Sequence, residues 1–101
     1  MSKNRDFIIT QGSDNIFEDL GFEKAEAANL KIRADLMLAL KEYIQLQGWT
    51  QEQAAEFFQE TQPRISNLIN GEISRFSVDK LINMLARAGM EVKVEILSLA
   101  A

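Results

Sequence analysis

Apolar residues recur every three or four positions between Glu23 and Gln47. Ala25, Ala28, Ile32, Leu36, Leu40 and Ile44 form one stripe, with Lys24, Lys31, Arg33, Asp35, Lys41 and Glu42 largely between them. That spacing predicts one long amphipathic helix, and Gly48 is suited to the left-handed backbone that ends it. A second pattern starts at Thr50, a capping residue with Gln53 three positions on to close a capping box, and Ala54, Ala55 and Phe58 share one side. It predicts a helix of about two turns. Thr61 caps the next helix, and Pro63 falls in its first turn, where a missing N–H costs nothing. Ile65, Leu68 and Ile69 supply its buried stripe, and Gly71 after Asn70 ends it. Ser77 opens a further helix with Val78, Leu81, Ile82, Leu85 and Ala88 on one face, ending at Gly89.

The two ends of the chain depart from this period. Glu91–Leu97 alternates polar and apolar residues, β-branched on one side, and predicts a half-buried strand. Met1–Gly12 lacks helical periodicity and reads as an arm with one apolar cluster, Phe7, Ile8 and Ile9. Ser13 or Asp14 is placed to cap a short helix from Asn15 to Leu20, which Gly21 ends. A lone strand leaves backbone groups unpaired, so residues 91–97 need a partner. The simplest is the same segment of a second copy in an antiparallel ladder, with Val92, Val94 and Ile96 as dimer contacts. Phe7–Thr10 of the same chain and a strand of another protein compete for that place.

With 101 residues, 47% of them hydrophobic and 26% charged, the chain suits one domain with a real core. Residues 1–21 are read as an arm with a short helix and residues 22–101 as the domain proper, its last strand included. There is no cysteine and no histidine. That removes disulfides, thiolate chemistry, structural zinc of the Cys/His kind and His-based catalysis, so no catalytic residue, metal or cofactor is expected. The first twenty residues contain Asp6, Asp14, Glu18 and Asp19 and no apolar run long enough for a signal peptide or membrane span, which makes a cytoplasmic location without membrane association the expectation.

The net charge of −4 runs against nucleic-acid binding, whose sequence-independent part comes from phosphate attraction. Its distribution alters that picture: Thr50–Glu60 is acidic, and Thr61–Phe76, with Arg64 and Arg75 against Glu72, is the net-positive stretch. Two short capped helices joined by a turn of about three residues make helix-turn-helix geometry, whose second helix fits a major groove about 12 Å wide. The outward positions of that second helix are Gln62, Arg64, Ser66, Asn67 and Asn70, with Thr61 at its tip. Amide side chains pair with adenine and arginine with guanine, whereas an ordinary surface helix would carry Glu and Lys. Gln51, in the first turn of the preceding helix, and Arg75, in the loop after the second, are candidates for phosphate contacts.

The run TQEQAAEFF, TQPRISNLINGE and FSVDKL resembles the Cro/repressor-like helix-turn-helix family, also called the XRE family. NIFEDLGF before the long helix and the strand after the last one look like its antitoxin-related branch of HigA type. This resemblance implies an all-α, lambda-repressor-like five-helix domain with a helix-turn-helix, to which the sequence adds one C-terminal β-strand pairing across a dimer. It also implies a homodimer on a partly palindromic operator in double-stranded DNA, and transcriptional repression. Gln51 and Asn70 carry over to phosphate contacts, and Gln62, Arg64, Ser66 and Asn67 to the groove-facing surface. The family usually has glycine in the interhelical turn where this chain has Gln59, so a left-handed backbone there costs about 1 kcal/mol.

Two further readings stand beside this one. An antitoxin would occupy a small ribonuclease toxin through the acidic segment Met1–Gly21, with Phe7, Ile8, Ile9, Ile16 and Phe17 as apolar contacts. An enzyme would need more than Glu52, Glu56 and Glu60, which read as a solvated helix face without nucleophile, glycine-rich loop or metal partner.

Overall fold

The computed structural model describes residues 8–11 and 15–98. Among them are strand β1 (Ile8–Gln11), helices α1 (Ile16–Asp19), α2 (Lys24–Gln47), α3 (Gln51–Phe58), α4 (Gln62–Ile69) and α5 (Val78–Arg87), and strand β2 (Lys93–Ile96). A single 3₁₀ turn, Ile73–Arg75, lies between α4 and α5. The domain is thus mostly helical, with a C-terminal strand as expected.

The caps form where the side-chain chemistry placed them. Thr50 accepts from the Gln53 N–H at 3.1 Å while Gln53 Oε1 accepts from the Thr50 N–H at 2.9 Å, completing the capping box. Thr61 and Ser77 accept from the N–H groups of Arg64 and Lys80. The first helix is capped by Asn15, whose Oδ1 accepts from the Phe17 N–H. The capping positions expected one or two residues earlier, Ser13 and Asp14, lie outside the described residues. Asn15 also donates its amide to the Ala27 carbonyl at 2.8 Å, which ties α1 to α2.

All five helices end in one manner: an N–H reaches back five residues over a left-handed turn, from Phe22 to Phe17, Trp49 to Ile44, Glu60 to Ala55, Glu72 to Asn67 and Met90 to Leu85. Four of these turns pass through glycine, and the one after α3 passes through Gln59 at φ 56° and ψ 45°. The chain therefore keeps the left-handed turn between α3 and α4 and carries its strain in a residue with a Cβ.

Leu36, Leu40, Ile65, Leu68 and Leu81 are the largest fully buried side chains, each contributing about 1.5–3 kcal/mol by burial. Ala54, Ala55, Phe58, Phe76, Met84 and Leu85 complete the core around them. The first half of α2 departs from the expected stripe: Ala27 and Leu30 are buried, while Ala25 is exposed and Ala28 half-buried. Helix α1 packs on this end of α2 and covers a face rotated from the one that meets α5. Beside the core, Trp49 lies 4.7 Å from Phe57 and 5.8 Å from Tyr43 between ring centroids, bracing α3 against the end of α2.

The strand finds its partner within the chain. β2 pairs with β1 in parallel, Ile8 with Lys93 through Gln11 with Ile96, so the competing intrachain pairing is realised and an orphan strand no longer calls for a second copy. β2 is exposed along its whole length, with Val94 at 56% and Ile96 at 80%, rather than half-buried.

The strain at Gln59 is measurable. Gln59→Gly should raise stability by about 1 kcal/mol, read as a higher urea midpoint at unchanged slope, whereas Gly48→Ala, at φ 70°, should lower it by about as much.

Candidate nucleic-acid interface

The pair α3 and α4 meets over Ala54, Ala55, Phe58, Ile65 and Leu68, all buried. Small residues at Ala54 and Ala55 let the two backbones approach, and the aromatic ring and two aliphatic side chains fill the angle. Gln59, Glu60 and Thr61 are the whole connection. The result is a short helix, α4, standing clear on the side opposite Ile65 and Leu68.

Polar ties fix that helix and the segment after it. Arg33, on α2, donates through one terminal nitrogen to the carbonyls of Ile73 and Phe76, at 3.0 and 3.2 Å, and through Nε to Asn29 Oδ1 at 2.7 Å. Glu60, in the turn, forms an ion pair with Lys80 of α5. Its side chain is only 12% exposed, so Glu60 is not part of the solvated face on which Glu52 and Glu56 lie. Arg87, at the end of α5, donates to the Phe57 carbonyl at 2.8 Å. Together α2 and α5 grip the two helices and the loop following them.

Gln62 and Asn70 are exposed, and Ser66 and Asn67 half-buried, on this one helix and its C-terminal cap. Asn70 approaches Ser66 at 3.4 Å. Thr61 is exposed but already accepts from the Arg64 N–H. Arg64 is turned along the flank of the helix rather than straight outward: it lies 5.5 Å from the Phe76 ring centroid, donates to the Arg75 carbonyl at 2.9 Å and approaches Glu60 at 3.9 Å. Its side chain is 40% exposed, so part of the guanidinium still meets water. That contact brings Arg75 beside the first turn of α4, with its own side chain exposed. Gln51 is exposed at the start of α3, roughly 10 Å along that helix from the turn. Val92, Val94 and Ile96 belong to the other end of the chain and take no part in this face.

No acidic side chain lies on α4, and its surface is built from amides, a hydroxyl and one flanking guanidinium. Such a face donates and accepts hydrogen bonds in pairs, as the edges of base pairs require. Arg33, the Glu60–Lys80 pair and Phe76 were not singled out from the sequence. Phe76, a lone aromatic after Arg75, is the one with a local signal.

A family model described as a helix-turn-helix domain matches residues 16–97, from α1 through β2. No curated protein matches the chain. Among the described residues no helix is long and apolar enough to cross a membrane.

The loop after α4 depends on Arg33. Arg33→Met should cost about 1–3 kcal/mol in urea unfolding, because two carbonyls lose a charged donor, and should speed amide hydrogen exchange at Arg75 and Phe76 ahead of the core.

Proposed function

Since the chain belongs to the helix-turn-helix domain family, a family of DNA-binding regulators, we propose that it is a transcriptional repressor of the Cro/repressor-like (XRE) kind, within the HigA-type branch. In this reading it acts in the cytoplasm as a homodimer on a partly palindromic operator. The observation that carries it is the surface of α4: amides and hydroxyls face outward without a carboxylate among them, in a protein whose net charge is −4. Such a helix has little use as a solubilising surface and suits a major groove.

Gln62 and Asn67 are the base readers, each able to pair with an adenine edge, and Ser66 lies between them. Asn70, Thr61 and Gln51 contact phosphates at the two helix ends, together with Arg75. Arg64 holds the loop through Phe76 and Arg75 and turns its remaining N–H groups to phosphate or guanine at the rim. The acidic remainder of the chain keeps non-specific attraction low, so affinity rests on a few contacts that depend on sequence.

A second reading, an antitoxin that occupies a small ribonuclease toxin and uses DNA binding for autoregulation, is favoured by the apolar side chains Ile16 and Leu20, which are 61% and 67% exposed at α1. Gel shifts with the DNA upstream of the gene, with and without the adjacent gene's product, separate the two readings.

Asn67→Ala and Gln62→Ala should each cost about 1–3 kcal/mol of specific operator binding while leaving non-specific affinity and thermal stability almost unchanged. Unaltered operator binding by both variants would show that this face does not read bases. Arg75→Ala should weaken binding to all sequences alike and lower the salt slope by about 1, measured by titration at several salt concentrations.

A further inference from the structure

We infer that Glu60 is a specificity-determining residue, one that holds the Arg64 guanidinium on the flank of α4 and so withholds a free cation from the DNA backbone. This role rests on the DNA-binding reading of α4 and deepens it. Glu60 lies in the α3–α4 turn, immediately before the Thr61 cap, and its side chain is only 12% exposed. Its two oxygens face two cations. Oε2 pairs with Lys80 of α5, and Oε1 lies 3.9 Å from Arg64 Nε. A carboxylate so covered is screened less by water and salt than one on an open helix face, such as Glu52 or Glu56.

The other contacts of Arg64 complete the hold. One terminal nitrogen donates to the Arg75 carbonyl at 2.9 Å, and the guanidinium carbon stands 5.5 Å from the centroid of the buried Phe76 ring. Glu60 supplies the charged member of this set. Arg64 is the third residue of α4, where the outward amides begin. A long cationic side chain set free at the first turn of a helix in the groove meets the flanking phosphates whatever the base sequence. Each such contact raises affinity for all duplexes alike, so a withheld one widens the gap between specific and non-specific binding.

Tying the turn to α5 takes only the oxygen on Lys80, and the second oxygen is the one that acts on Arg64. Glutamine separates the two roles. In Glu60→Gln the amide oxygen still accepts from Lys80, and the NH2 group then turns to Arg64 Nε, a donor facing a donor. The tie to α5 persists in neutral form while the hold on Arg64 is lost.

Binding of Glu60→Gln to the DNA upstream of the gene and to a scrambled duplex of the same length is measured by fluorescence anisotropy at several salt concentrations, with circular dichroism as the check on folding. Affinity for the scrambled duplex should rise and its salt slope steepen by about 1, so that the gain shrinks about threefold between about 50 and about 200 mM salt. The gain should vanish in the Arg64→Ala background, and Glu56→Gln, an equal change of charge at an exposed position, should not reproduce it. Without DNA, the nitrogen–proton NMR signal of Arg64 Nε should move in Glu60→Gln toward that of an unrestrained arginine. A folded Glu60→Gln with an unaltered slope, or the same gain without Arg64, overturns this role. If Glu60→Gln does not fold, Lys80→Met probes the same hold with the opposite sign. A carboxylate relieved of Lys80 should grip Arg64 more tightly and weaken binding to the scrambled duplex only while Arg64 is present, and a loss that persists in Arg64→Ala overturns the role. Failure of the repressor reading looks different: the wild-type chain then prefers neither duplex, while the Arg64-dependent gain in Glu60→Gln remains.

Discussion

The angle between α3 and α4 is the constraint on which the remainder depends. Three residues connect the helices, and the middle of the junction is filled by Phe58, Ile65 and Leu68 over the small side chains of Ala54 and Ala55. A larger side chain at either alanine would push the helices apart, because a core at crystalline density has no room to absorb added volume. The left-handed backbone at Gln59 follows from the same demand. The left-handed residue lets the Glu60 N–H reach back to the Ala55 carbonyl and end α3 at once, and the packing beyond it compensates for the strain.

Once the angle is set, the polar chemistry divides into groups that hold and groups left over. Arg33, Glu60, Lys80 and Arg87 are spent on the fold: each reaches a carbonyl or an opposite charge on another element. Arg64 is half spent. What remains outward on α4 is uncharged, and this follows from the division rather than from a shortage of charge in the chain. On the proposed reading, amides that pair with base edges need a helix that is held still, since a bidentate contact is lost when the side chain's base is displaced by about 1 Å. The clamps from α2 and α5 supply that rigidity from behind.

Much of this was legible from short-range patterns. The caps at Thr50, Thr61 and Ser77 and the termination after Gln47 are decided by residues three or four positions apart, and so is the stripe of Ile65 and Leu68. The buried face of α2 near Ala27 and Leu30 was not legible, because which side of a helix is covered depends on where α1 comes to lie. Arg33 was equally silent: its acceptors are backbone carbonyls forty or more positions away, and a carbonyl leaves no trace in a side-chain pattern. Strand β2 was visible by its alternation, but its partner was not, since the four residues of β1 carry no signal that distinguishes a parallel mate at the other end of the chain from an arm.

That pairing also determines how the two ends of the domain communicate. Parallel strands need a long connection between them, and here the five helices are that connection. A two-stranded ladder of four residues has little stability of its own, so it depends on α2, against which β1 lies, and on Val92 and Met90 at the edge of the core. β2 is in turn the continuation of α5 after the turn at Gly89. Because α5 holds α3 through Arg87 and the α3–α4 turn through Lys80, β2 and the helix pair are joined to the same helix. The connection runs through one helix with a polar tie at each end, Lys80 to Glu60 near its start and Arg87 to the Phe57 carbonyl at its finish.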